Sequence, residues 1–149
     1  GIVVYLDAGL HFEGNVSLPK IAKKVLSQGD VAAARQECCL ERHWTARCVL
    51  DALGAGHSAH IVDTEQLAAG FVFLRKGHVA DQFVERWLEL AQNFALLIGS
   101  CSMGLEDFPG FCEHRADQSI FSMLFKQFGF EAFSEAEART WVSYARNME

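Results

Sequence analysis

A chain of 149 residues is long enough for one domain with a substantial core. Half of its residues are apolar and 11% are aromatic, which excludes wholesale disorder. Thirteen Lys and Arg against 19 Asp and Glu leave a net charge of −6, and the basic residues are scattered, which excludes a nucleic-acid groove built on concentrated positive charge.

The chain opens on Gly1-Ile2-Val3-Val4-Tyr5-Leu6, a continuous apolar, β-branched run that reads as a strand buried on both faces. A strand this central seldom begins an α/β fold, so further chain is expected upstream. A helix follows, with Ser17 as cap, Pro19 in the first turn, Gly29 beyond its end, and Leu18, Ile21, Ala22, Val25 and Leu26 as its apolar stripe. The pattern then predicts a short strand over residues 35–40, a helix over 44–53 broken by Gly54-Ala55-Gly56, and a loop over 57–63.

Residues 68–74, Ala-Ala-Gly-Phe-Val-Phe-Leu, predict the next strand. The clearest helix spans residues 79–94, with Phe83, Val84, Trp87, Leu88 and Ala91 on one side and Asp81, Gln82, Glu85, Arg86 and Glu89 on the other. Residues 99–110 lack periodicity and predict a loop. A helix is expected over 117–128, ended by Gly129, then a short strand over 130–133. Ser134 with Glu137 forms a capping box for a last helix that turns Ala138, Trp141, Val142 and Ala145 inward. Strands alternating with helices predict a single α/β domain over 1–149, with a mostly parallel sheet flanked by helices.

No apolar run is long enough to span a bilayer, so no transmembrane segment is expected. Five cysteines without a repeated Cys-x-x-Cys spacing read as reduced, mostly buried thiols in a cytoplasmic protein. The three tryptophans read as core anchors, and the histidines at 11, 43, 57, 60 and 78 as surface or loop residues.

Three segments carry candidate chemistry. Asp7 directly follows a strand, where α/β sheets gather ligands and a carboxylate can hold a hard cation or a ribose hydroxyl; the plainer reading is a turn, with Gly9 at positive φ. Ala68, Ala69 and Gly70 open a strand with small residues, which suits close approach of a ligand or of packed backbone. Glu113-His114-Arg115-Ala116-Asp117-Gln118-Ser119 places polar groups at a helix start, either as an anion site or as a cap with Asp117 at the N-cap.

Taken in order, Tyr5-Leu6-Asp7-Ala8-Gly9, Ala69-Gly70-Phe71-Val72-Phe73 and His114-Arg115-Ala116-Asp117-Gln118-Ser119-Ile120-Phe121-Ser122 resemble three elements of GT-A glycosyltransferases. The first is similar to their strand-end Asp-x-Asp motif, the second to a small-residue-plus-apolar strand, and the third to a His-Arg-x-Asp-Gln-Ser helix start. The resemblance implies the C-terminal half of a nucleotide-diphospho-sugar transferase fold without its N-terminal nucleotide-binding half. It implies transfer of a hexose from a nucleotide sugar to a glycan or lipid-linked acceptor in the full-length form. Asp7, Gly9, Gln66, Ala69 and Gly70 would serve the donor, and Asp7 would hold a divalent metal, Mn or Mg. Asp117 and Gln118 would act at the reacting sugar, and His114 and Arg115 would meet the acceptor or phosphate. Gly9 stands where the commoner motif has its second Asp, so Asp7 is a lone carboxylate. The chain by itself is expected to be inactive. The alternative is a non-catalytic binding or interaction module, dimerising through the edge at Val3 to Leu6. A hydrolase at His114, Arg115 and Asp117 ranks last, for want of a nucleophile elbow.

Overall fold

Residues 1–101 and 104–144, the part that the computed structural model describes, form β1 (Ile2–Leu6), β2 (Leu10–Phe12), α1 (Leu18–Val25), β3 (Val31–Leu40), α2 (Glu41–Trp44), α3 (Arg47–Ala52), α4 (Ala59–Val62), β4 (Glu65–Arg75), α5 (His78–Ala91), α6 (Phe94–Ile98), α7 (Ala116–Gln127), α8 (Glu135–Arg139) and β5 (Val142–Tyr144). The main sheet has the order β1-β4-β3, and β2 pairs with β5 in a separate ribbon. Every pairing between these strands is antiparallel.

The expected parallel sheet is therefore corrected: the fold is α/β with antiparallel sheets. The reason lies in the connection between β3 and β4. A parallel partner would require the chain to travel back along β3, roughly 33 Å for ten residues. The helix expected over residues 44–53 is instead split into α2 and α3, of four and six residues, at Thr45-Ala46. A six-residue helix covers only about 9 Å. With four-residue α4, these pieces make up the connection, and Glu65 enters β4 directly beside Leu40.

The first strand is also placed differently. β1 lies at a sheet edge, with Ile2, Val3 and Tyr5 exposed and Val4 and Leu6 half-buried. An all-apolar run carries no alternation to distinguish an edge strand from a central one. The last helix stops at Arg139, and Val142 to Tyr144 pair with β2 instead. Ala145 lies outside the described residues. The expected strand at 130–133 is a single parallel bridge between Ala34 and Phe133, and the loop at 57–63 contains α4.

Side-chain alternation builds a core on each side of the sheet. Val31, Ala33, Leu67, Ala69 and Val72 face α5, α6 and α7, where Phe83, Phe121 and Phe125 pack. Phe83 meets Phe121, Phe128 and Phe130 edge-on with centroids 5.4–5.5 Å apart, a favoured aromatic geometry. Ala32, Ala34, Phe71 and Phe73 face the other way, onto α1, α8 and the β2–β5 ribbon. On α5 the buried stripe is Ala80, Phe83 and Leu90, with Trp87 half-buried, while Val79, Val84 and Leu88 face outward.

The structure joins Cys48 to Cys101 and Cys38 to Cys39 as disulfides, which corrects the expectation of reduced thiols for these four; Cys112 is a free, exposed thiol. No helix among the described residues is long and apolar enough to cross a membrane.

Candidate functional site

The β3–β4 ladder breaks between Ala33 and Arg35: Ala33 faces Val72, but Arg35 faces Leu67. Between these pairs β4 has four residues, 68–71, against Ala34 alone on β3, and three of the four are small: Ala68, Ala69 and Gly70. Bulges of this kind redirect side chains and often flank functional sites. On the β3 side, the Phe133 carbonyl accepts from the Arg35 N–H at 2.9 Å and its own N–H donates to Ala33 O at 3.1 Å.

A cavity of about 400 Å³ opens over this break. Its apolar wall comes from Leu10, Ala34, Ala68, Phe71, Ala138 and Val142. Its polar wall comes from Asp7, Arg35, Gln36, Gln118, Glu135 and Arg139, with Ser143 and Tyr144 from β5. Small side chains make the room, and Gly70 is the tightest point: a Cβ there would lie 2.6 Å from Asp7 Oδ2.

Asp7 sits just past β1. Its N–H donates to Gly70 O at 2.9 Å, and the Tyr5 hydroxyl donates to its Oδ1 at 2.6 Å. That hydrogen bond, followed by desolvation and the negative charges of Asp7 and Asp117, holds the Tyr5 hydroxyl above the ordinary phenol range. Gly9 is exposed and does not line the cavity, and its φ lies outside the left-handed range, so the left-handed turn expected there is absent.

Alternation separates the β4 candidates: Ala68 and Gly70 border the cavity, while Ala69 packs in the opposite core. Gln66 is fully buried behind the cavity. Its Nε2 donates to Glu41 Oε1 at 3.3 Å and Trp44 O at 3.2 Å, and its Oε1 accepts from Gln118 Nε2 at 2.9 Å. Glu41, also fully buried, pairs with Lys126 and accepts from Thr45 Oγ1 at 2.7 Å and Ser122 Oγ at 2.6 Å.

At the start of α7 the N-cap is Arg115 rather than Asp117. Ala116 has φ +44°, a left-handed conformation uncommon outside glycine, and strain of this kind gathers at functional sites. Gln118 reaches the cavity. Asp117 is exposed and does not line it; its carbonyl accepts from Trp87 Nε1 at 3.1 Å. Arg115 points inward, its guanidinium 3.8 Å over the Trp44 ring and 2.7 Å from Gln36 Oε1.

His114 is committed to structure. Its Nδ1 accepts from the Ala46 N–H at 3.2 Å, so Nε2 carries the proton and donates to Leu96 O at 3.0 Å. Burial holds this imidazole below the ordinary histidine range, opposed by the carbonyls of Leu96 and Leu97. Gly99 ends α6 with φ +68°, and a Cβ there would collide with the His114 ring at 2.6 Å. The loop beyond it supplies Asp107, whose Oδ1 accepts from the Arg47 N–H at 2.7 Å at the start of α3.

Of the residues singled out in the sequence, the fold brings Asp7, Gly70 and Gln118 to one cavity, sets Gln66 and Arg115 behind it, and leaves Gly9, Ala69, His114 and Asp117 off its wall. Sequence reasoning missed Arg35, Gln36, Glu135 and Arg139. Arg35 makes no side-chain hydrogen bond or ion pair among the described residues, whereas Arg139 is tied to Glu135. The hydrogen bond from Arg139, with a further one from the Glu37 N–H, holds Glu135 below the usual carboxylate range. The capping box gave away α8 but not the direction of its other face.

A divalent metal at Asp7 would need further ligands beside its single carboxylate. No group of three His, Cys, Asp or Glu suited to a metal occurs among the described residues, and one Asp7 oxygen already accepts from Tyr5. These side chains do not build a cation site by themselves; an ion there would depend on ligand oxygens such as phosphates.

No family model matches this chain, and neither a curated protein nor a solved structure matches it.

Proposed function

We propose that the cavity is the sugar-nucleotide site of a glycosyltransferase-like domain, moving a hexose to a glycan or lipid-linked acceptor in the full-length form. One observation carries the reading: Asp7, Gly70 and Gln118, from three separate segments with the sequence features of such enzymes, border the same cavity. Its chemistry agrees with a sugar ligand. A patch of small and aromatic side chains offers an apolar floor to ring C–H groups, and carboxylate and amide oxygens accept from hydroxyls. The Arg35 guanidinium, which has no side-chain partner among the described residues, suits a diphosphate, to which it can donate two parallel hydrogen bonds. In the reaction, the bond from the anomeric carbon to the diphosphate oxygen breaks, the diphosphate keeps the electron pair, and an acceptor oxygen forms the new bond as it loses its proton.

Calorimetry with UDP, GDP, UDP-glucose, UDP-galactose and GDP-mannose, with and without Mn²⁺, tests the reading. Binding by the parent that is lost in Asp7→Ala and Arg35→Ala is the expected result. Absence of binding by a folded protein across the whole panel refutes it.

A second reading, self-association without catalysis, is favoured by the open edge of β1, where Ile2, Val3 and Tyr5 are each nearly half exposed. Sedimentation velocity across a concentration series distinguishes it: a monomer at every concentration removes it.

A further inference from the structure

Three glutamines meet beside the cavity: Gln36 on β3, Gln66 on β4 and Gln118 in the first turn of α7. An amide can be reversed end for end with little change of shape, so its neighbours decide which end meets a ligand. Here the neighbours include two charged groups whose roles are fixed.

The buried Glu41 carboxylate, paired with Lys126, only accepts, and it takes Gln66 Nε2. Gln66 therefore turns Oε1 the other way. The Arg115 guanidinium only donates, to Gln36 Oε1 at 2.7 Å and to Gln66 Oε1 at 3.4 Å. These same two oxygens accept from Gln118 Nε2, at 3.0 and 2.9 Å, which uses both of its hydrogens. Among the described residues this leaves Gln118 Oε1 without a donor and Gln36 Nε2 without an acceptor, and both glutamines line the cavity.

We propose that Gln36 is a specificity-determining residue of this site: Gln36 Nε2 and Gln118 Oε1 form a donor–acceptor couple that reads a hydroxyl pair on the hexose, with Arg115 and Glu41 as positioning residues. The inference rests on the sugar-site reading above and deepens it. Sugar hydroxyls both donate and accept, so they satisfy both ends of the couple. A deoxy position leaves a polar atom unpaired, and a site built to bond a hydroxyl rejects an analogue that lacks it. Orientation is fixed before the ligand arrives, so no amide has to be ordered on binding.

Gln36→Glu isolates the donor. One carboxylate oxygen still receives Arg115 and Gln118, so the interior network is retained, but the group facing the cavity becomes an acceptor. Calorimetry compares UDP, which lacks the hexose, with UDP-glucose, UDP-galactose and the 2-, 3-, 4- and 6-deoxy forms of the hexose that binds better. The expected result is a loss of about tenfold or more for that UDP-hexose in the variant, with UDP unchanged and with one deoxy form insensitive to the substitution. If UDP-hexose binds the variant as it binds the parent, the inference falls and the sugar-site reading stands. If neither UDP nor any UDP-hexose binds the parent, the reading falls and the inference with it. A second measurement needs no variant: in nitrogen-15-labelled parent protein, the Gln36 side-chain amide signals should move on adding UDP-hexose and stay in place on adding UDP. Signals unmoved by a bound hexose overturn the inference.

Discussion

Glu41→Gln removes one charge from the deepest polar cluster of the fold while keeping the side-chain volume. Glu41 is fully buried and Lys126 is only 12% exposed in its side chain, so the ammonium has little water to turn to when its partner is neutralised. All four partners of the Glu41 oxygens donate: Thr45 Oγ1 and Gln66 Nε2 on one oxygen, Ser122 Oγ and Lys126 Nζ on the other. Whichever way the new amide turns, its NH₂ confronts donors. Breaking a buried pair by neutralising one partner costs about 3–5 kcal/mol. For a chain of this length each kcal/mol moves the melting temperature by roughly 3 °C, so a fall of about 10–15 °C is expected by calorimetry or far-ultraviolet circular dichroism. Lys126→Met should destabilise comparably, because it strands the carboxylate. The double variant should cost less than the two singles together, by more than about 1 kcal/mol, since each removes the group that the other leaves unpaired. A single-variant loss under about 1 kcal/mol, or strict additivity of the two, would refute the buried-pair reasoning.

Gly70→Ala sets a methyl 2.6 Å from Asp7 Oδ2, whose carboxylate is tied to Tyr5; ligand binding at the cavity should fall while the far-ultraviolet spectrum stays unchanged, and unaltered binding counts against the Asp7–Gly70 contact. His114 is held neutral in the fold, with its proton affinity below that of the unfolded chain, so the unfolded state binds more protons as pH falls. Stability attributable to this group is present above about pH 6.5 and declines as pH drops through that value toward the folded-state pKa; urea midpoints against pH should show this limb in the parent and lose it in His114→Gln. Reducing Cys48–Cys101, which spans a sequence separation of 53, should cost up to about 4 kcal/mol by chain entropy, read as a lower melting temperature in Cys48→Ser/Cys101→Ser.

The sequence by itself determined the elements whose signals are local. α5 and α7 follow from apolar spacing, α8 from the Ser134–Glu137 capping box, and β4 from its small-residue and aromatic run. It also pointed to Asp7, Gly70 and Gln118, since a carboxylate at a strand end, a glycine inside a strand and a polar residue in a helix's first turn are each visible in a few residues. Strand direction was not visible in this way. It depended on how the 41–64 connection folded: its short helices α2, α3 and α4 leave Glu65 beside Leu40, so β4 starts at the end where β3 stops. Gln36 stood in a strand with no motif around it, and its importance arises from Arg115, brought alongside from 79 positions away. Likewise, which end of Gln118 meets the cavity depends on Glu41 acting through Gln66. Local pattern fixes secondary structure because its energetics lie within a turn or a strand. Sheet direction and amide orientation belong to the tertiary structure, because a chain return and buried charges from distant segments decide them.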